Sequence, residues 1–182
     1  MVELKKQNFW INKIFYNRIE KELRKKLKGD IPIEQVGSTA IPNMYGKNII
    51  DILIGAKDNI QFEKIKNILE SMNYIPSAKS KDEIYQFFSS TSDETGSGDV
   101  HIHLVIEGTQ RYLDFICLKK YLLNNKIEAK NYSNFKRKLI NNGILERKEY
   151  KKLKSEYVTL LLQRARNSIK DNIIPSFAVN QF

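Results

Sequence analysis

The 182-residue chain carries 31 Lys and Arg against 21 Asp and Glu, a formal charge of +10, and 41% of its residues are hydrophobic. That apolar share, with 10% aromatic residues, excludes an intrinsically disordered chain, and the length fits one domain that folds without a disulfide or a structural metal. A single cysteine, Cys117, excludes an internal disulfide and a Cys-rich zinc site and suits a reducing cytoplasm, the expected location.

The first segment repeats Phe9, Ile14, Phe15, Ile19, Leu23 and Leu27 at three to five residues with charges between them, which predicts an amphipathic helix over about 7–28, ended by Gly29 and Asp30. It has no apolar run before a small-residue cleavage site, so no signal peptide is expected. Ile33 to Val36 reads as a short strand, broken by the turn residues Gly37, Ser38 and Thr39. Ile49 to Ile54 is β-branched and nearly continuous, the pattern of a buried strand in an α/β sheet, interrupted only by Asp51. This is the most apolar stretch, and it is far too short to span a membrane, so no membrane partner is expected.

Phe62, Ile65, Ile68, Leu69 and Met72 place a helix over about 60–72, and Ile84 to Ser90 reads as a strand. Residues 89–99, rich in Ser, Thr, Gly and Asp, are expected to form a mobile loop, a candidate lid. From Val100 to Ile106 the residues alternate. His101, His103 and Val105 share one face of a strand and Ile102, Leu104 and Ile106 the other. Helices are then predicted over about 109–123, 126–141 and 146–170. On the first of these Cys117 is expected to be a small core residue. On the last, Tyr150 and Lys154 form an i, i+4 pair assigned to the solvated face.

Residues 1–110 hold 15 basic and 15 acidic side chains, and residues 111–182 hold 16 and 6, so the whole excess of positive charge lies in the C-terminal helices. Such a lobe draws in anions, although charge of this kind also marks ordinary solvated faces. The expected architecture is a single α/β domain over 1–182, with an α/β core over 1–108 and a basic helical part over 109–182 that covers or flanks the sheet.

Chemistry concentrates between residues 34 and 54. A strand delivers Gly37, Ser38 and Thr39 into a short helical turn, whose N–H groups and hydroxyls suit a phosphate. A second strand then presents Asp51, with Lys47 as its expected partner or as a point charge for a phosphate. An anion cradle beside a carboxylate that binds Mg²⁺ is what nucleotidyl or phosphoryl transfer requires. His101 and His103 with Asp51 offer a different reading, a two-His-one-carboxylate metal site for a hydrolase.

The stretches Glu34-Gln35-Val36-Gly37-Ser38-Thr39-Ala40-Ile41-Pro42 and Gly46-Lys47-Asn48-Ile49-Ile50-Asp51-Ile52-Leu53-Ile54 resemble the GrpB-like family. The likeness continues in order through Phe87-Phe88, His101-Ile102-His103, Tyr121-Leu122, the segment Tyr132 to Lys136, and Tyr150, Lys154 and Ala165. It implies a nucleotidyltransferase-like fold, a mixed sheet flanked by helices, more strongly than it implies a reaction. On that fold the residues themselves suggest Gly37, Ser38, Thr39, Lys47, His101 and His103 on the substrate and Asp51 as the catalytic ligand of Mg²⁺, and the expected partner is a nucleotide or another phosphorylated small molecule, with RNA as an alternative.

The chain also departs from that pattern. Leu53 stands where transferases of this fold place a second acid, Gln35 replaces a histidine, and Leu118-Lys119-Lys120 replaces Phe-Arg-Asp. Unless Asp99, Glu107 or Asp114 supplies the missing acid, the resemblance also admits a non-catalytic module that keeps the anion pocket and binds a nucleotide, a coenzyme or RNA.

Overall fold

The computed structural model describes residues 2–90, 99–144 and 146–173. In chain order these form β1 (Lys5–Lys6), α1 (Phe9–Leu27), β2 (Ile33–Val36), a single 3-10 turn (Ser38–Ala40), β3 (Tyr45–Gly46), β4 (Ile50–Ala56) and α2 (Asn59–Ser71). They continue with β5 (Ile75–Asp82), β6 (Tyr85–Ser89), β7 (Val100–Ile106), α3 (Gln110–Asn124), α4 (Lys126–Asn141) and α5 (Arg147–Ile173). Most of the loop predicted over 89–99 lies outside the described residues.

The main sheet has the order β2-β4-β7-β6-β5 and is mixed, because β4 and β7 run parallel while the other neighbours are antiparallel. The expected mixed α/β sheet flanked by helices is therefore present. A second pairing, β1 with β3, was not legible in the sequence. It is held by Gln7, whose main-chain N–H donates to the Met44 carbonyl at 2.8 Å and whose side-chain amide donates to the Gly46 carbonyl at 3.0 Å.

Side-chain alternation gives each sheet face its own cover. Ile50, Ile52, Ile54, Ile102, Leu104 and Phe88 pack against Tyr16, Leu23 and Leu27 of α1 and Phe62, Ile65 and Leu69 of α2. A fully buried aliphatic or aromatic side chain contributes ~1.5–3 kcal/mol, so this layer anchors the fold. On the opposite face Val36, Leu53 and Val105 meet Tyr112, Phe115 and Ile116 of α3. A third cluster, built from Ile41, Met44, Leu122, Ala129, Tyr132 and Leu161, joins the segment after the 3-10 turn to α3, α4 and α5.

The first three helices start where short polar side chains satisfy free N–H groups. Asn8 accepts from the N–H of Ile11 at 3.1 Å, Asp58 from Gln61 at 2.7 Å, and Thr109 from Tyr112 at 3.4 Å. The buried side of α1 differs from the predicted one. Ile14 is 69% exposed and Phe15 52%, whereas Asn12, Tyr16, Leu23 and Leu27 face the core. Two polar groups turned the helix: the Tyr16 hydroxyl donates to the Ile33 carbonyl at 3.0 Å, and Asn12 donates to Gln7 Oε1 at 3.1 Å.

The sequence reading missed β5. It is an edge strand carrying Pro76 and lysines, with a register shift between Pro76 and Lys81, so it has none of the alternation that marks an interior strand. Cys117 is half-buried rather than a core residue, and burial pushes its thiol upward, with Asp114 adding to the effect. Tyr150 and Lys154 are corrected as well. Tyr150 is only 2% exposed, and Lys154 lines a cleft instead of a solvated face.

Candidate functional site

The sheet register assembles the centre of the site. Asp51 on β4 stands opposite Val36 of antiparallel β2 and beside His101 of parallel β7, and His103 follows on the same face. His101 Nδ1 lies 3.2 Å from Asp51 Oδ1, while His103 Nε2 lies 3.8 Å from the same oxygen, near enough for charge but too far for a hydrogen bond. An ionised carboxylate only accepts, so the His101 bond places a proton on Nδ1. The Nε2 atom of that ring is buried without a partner among the described residues.

Burial opposes charge on Asp51. The bond from His101 and the nearby His103 outweigh it and hold the carboxyl well below the usual carboxylate range. His103 is in turn oriented by the Tyr85 hydroxyl, 3.0 Å from its Nδ1, and packs against Phe87 and Phe115 at ring separations of 5.4 and 4.6 Å.

Directly after β2, Gly37 turns the chain at φ 70°. A Cβ at this position would lie 2.1 Å from Asp51 Oδ2, so glycine is required both by the backbone and by the carboxylate beside it. Gly37 and Ser38 open onto a cleft of about 280 Å³, shared with Asp51, His101, His103 and Lys154. Apolar walls come from Met44, Leu118, Leu122 and Val158, with the rings of Phe115 and Tyr132.

Two expected site residues take other places. Thr39 is buried, and its hydroxyl donates to the Ile49 carbonyl at 3.3 Å, so it fastens the turn to the strand that follows. Lys47 does not pair with Asp51. Its ammonium lies 5.6 Å from the centre of the Tyr150 ring, and burial, followed by the charges of Arg147, Lys154 and Lys151, pushes its pKa down to about 8.

A residue without an assigned role in the sequence reading lies at the heart of the arrangement. Lys136 is 1% exposed, its Nζ donates to Ser38 Oγ at 2.7 Å and to the Tyr45 carbonyl, and it lies 4.7 Å from the Tyr132 ring centre. Burial lowers its pKa to about 7, helped by Lys154 and opposed by Asp51. The available signal was positional: Ala129, Tyr132, Ser133 and Lys136 occupy one helical stripe, so a lysine stands where an apolar residue is expected.

The acids considered as a second carboxylate do not join Asp51. Asp114 is paired with Arg166 at 2.6 Å, and Glu107 lies beyond the far end of β7, against Gly55 and Tyr112. The main chain of Asp99 accepts from Ile50, but its side chain completes no cluster. Leu53 is wholly buried. Among the described residues no group of three or more His, Cys, Asp or Glu is arranged to hold a metal ion. Among them, too, no helix is long and apolar enough to cross a membrane.

A profile of the GrpB protein family matches residues 5–164. Among curated proteins, the chain is 27% identical over 151 residues to UPF0157 protein BH1888 of Halalkalibacterium halodurans, covering 82% of this chain and 75% of that protein. It is 28% identical over 132 residues to Glutamate-rich protein GrpB of Alkalihalophilus pseudofirmus, covering 71% and 76%. The crystal structure of conserved protein GrpB from Enterococcus faecalis superimposes with a TM-score of 0.77 at 19% identity, over 92% of this chain and 99% of that one. The chain belongs to the GrpB family.

Proposed function

We propose that the cleft binds a phosphorylated small molecule of the nucleotide or coenzyme class, with its anionic group at the Gly37–Ser38 turn and Lys154. The observation that carries this reading is an excess of cations around one carboxylate. Asp51 is already engaged by His101, while Arg147, Lys154 and Lys151 lie close enough for their charges to add to the burial that lowers the pKa of Lys47, and Lys154 does the same to Lys136. A bound phosphate relieves that repulsion. The unpartnered His101 Nε2 offers a further polar contact, and the apolar and aromatic walls suit a base or another flat group.

Mg²⁺ does not fit the donor set of the described residues. A two-ion site needs carboxylates that share ions about 3.5–4 Å apart, and among the described residues Asp51 has no second acid beside it. One of its oxygens accepts from His101, and the other faces Gly37 at the rim of the cleft. Among the described residues His101, His103 and Asp51 are also not arranged as a three-donor metal set, so the donors favour neither Mg²⁺-dependent nucleotidyl transfer nor a metallohydrolase. The favoured reading is a binding module on the family's fold.

The test is calorimetric titration and thermal unfolding with ATP, coenzyme A, pyrophosphate and a short RNA, each with and without Mg²⁺. The expected result is a rise in Tm of several degrees at saturation with at least one phosphorylated small molecule, independent of Mg²⁺, and a tenfold or greater weakening in Lys154→Ala. Binding of RNA alone, a strict need for Mg²⁺, or no shift at millimolar concentrations overturns it.

A further inference from the structure

We propose that Ser38 and Lys136 form a nucleophile and base pair that carries an acyl group on Ser38 Oγ during hydrolysis of a carboxylic ester. This goes beyond the anion-binding reading and does not depend on it. Ser38 lines the cleft at the sharp turn after β2, whereas Lys136 stands behind it, away from the cleft lining, with its amine 2.7 Å from Ser38 Oγ. That is the placement of a base behind an exposed nucleophile.

The hydrogen bonds balance for a neutral amine. Protonated, Lys136 donates to both Ser38 Oγ and the Tyr45 carbonyl. Neutral, it keeps two hydrogens and one lone pair, donates to Tyr45 and accepts from the Ser38 hydroxyl. Burial is the main cause favouring the neutral form, and Lys154 on α5 acts in the same direction, against the attraction of Asp51 on β4. A simple tie between α4 and β3 does not need a buried lysine, because Ser133 already accepts from the Tyr45 N–H at 2.8 Å.

Acyl chemistry suits this cleft better than phosphoryl transfer, which spreads charge over several oxygens and calls for metal ions that the donors among the described residues do not accommodate. In the acylation step the Ser38 Oγ–carbonyl carbon bond forms and the hydroxyl proton passes to Lys136 Nζ. The ester C–O bond then breaks, and the alcohol leaves with that proton. Water attacks the acyl-serine, its proton passes through Lys136 back to Ser38, and the carboxylic acid is released. The net reaction is ester plus water to acid plus alcohol.

The experiment treats the full chain with p-nitrophenyl acetate or a fluorophosphonate and locates the label by peptide mass mapping. One label per chain is expected on Ser38, at a rate that rises through pH about 7, where Lys136 loses its proton. Ser38→Ala should carry no label at this position. Lys136→Met and Lys136→Arg should label at least 100-fold more slowly. Label on lysines only, a rate unchanged between pH 6 and 8, or full labelling of Ser38 in folded Lys136→Arg overturns the proposal. If the Lys136 variants fail to fold, the wild-type pH profile and Ser38→Ala decide it. Calorimetry with phosphorylated ligands is read separately, so either proposal fails without the other.

Discussion

Gly37 and Asp51 are packed so closely across β2 and β4 that a single methyl group on the first would displace the carboxylate of the second. Gly37→Ala therefore meets both a clash and a positive-φ, extended backbone that costs a side chain ~1–3 kcal/mol. Chemical denaturation should show a loss of at least about 2 kcal/mol, and any anion binding at the turn should fall with it.

Asp51→Asn removes the charged acceptor of His101. A hydrogen bond to a charged group contributes ~1.5–3 kcal/mol, so a loss in that range is expected at pH 7. The folded-state carboxyl is held below its ordinary value of 3.8, so its contribution is present above that value and is lost as pH falls beneath it. Urea midpoints of the wild type and the variant should converge in that acid range.

Lys136 carries the opposite dependence. Its folded-state pKa of about 7 lies below the ordinary 10.5, so between the two the unfolded chain binds more protons and stability rises with pH. Lys136→Met should remove up to ~1.4 kcal/mol per pH unit of that slope between pH 7 and 9. Lys47, pushed down to about 8, accounts for part of the slope that remains.

Leu53→Asp puts the absent acid back, but into a site packed by Val36, Val105, Tyr85, Tyr112 and Phe115. The expected outcome is destabilisation by about 3 kcal/mol or more without gain of Mg²⁺ binding, measured by unfolding with and without the ion.

On α1, Ile14→Ser should change stability by less than about 0.5 kcal/mol. Tyr16→Phe, which removes the bond to the Ile33 carbonyl, should cost ~1 kcal/mol. Equal effects would mean that the buried side of this helix is misassigned.

Much of the sheet was legible because β-branched runs and strict alternation are local signals. Ile50 to Ile54 and Val100 to Ile106 carry them, and the alternation alone places His101 and His103 on one face. Asp51 was legible as a cleft residue because a carboxylate among isoleucines needs a partner. The choice between its two candidate partners, Lys47 and the histidine pair, was not, because His101 lies 50 positions away and meets it only through the parallel pairing of β4 with β7. Lys47, four residues from Asp51 in sequence, was the nearer choice and the wrong one.

β5 and the polar underside of α1 were hidden for related reasons. An edge strand has no need of apolar alternation, and Asn12 and Tyr16 are buried by hydrogen bonds that a hydrophobic pattern does not record. Lys136 broke the rule that lysine is exposed, and only its place on the Ala129, Tyr132, Ser133 stripe marked it.

The bond from Lys136 to Ser38 joins residues 98 positions apart. That contact needs α4, which follows every strand of the main sheet in the chain. The sheet with its α1 and α2 layer is a platform whose own core includes no residue of α4. Mild denaturant should accordingly release α4 from the turn first and leave the platform standing.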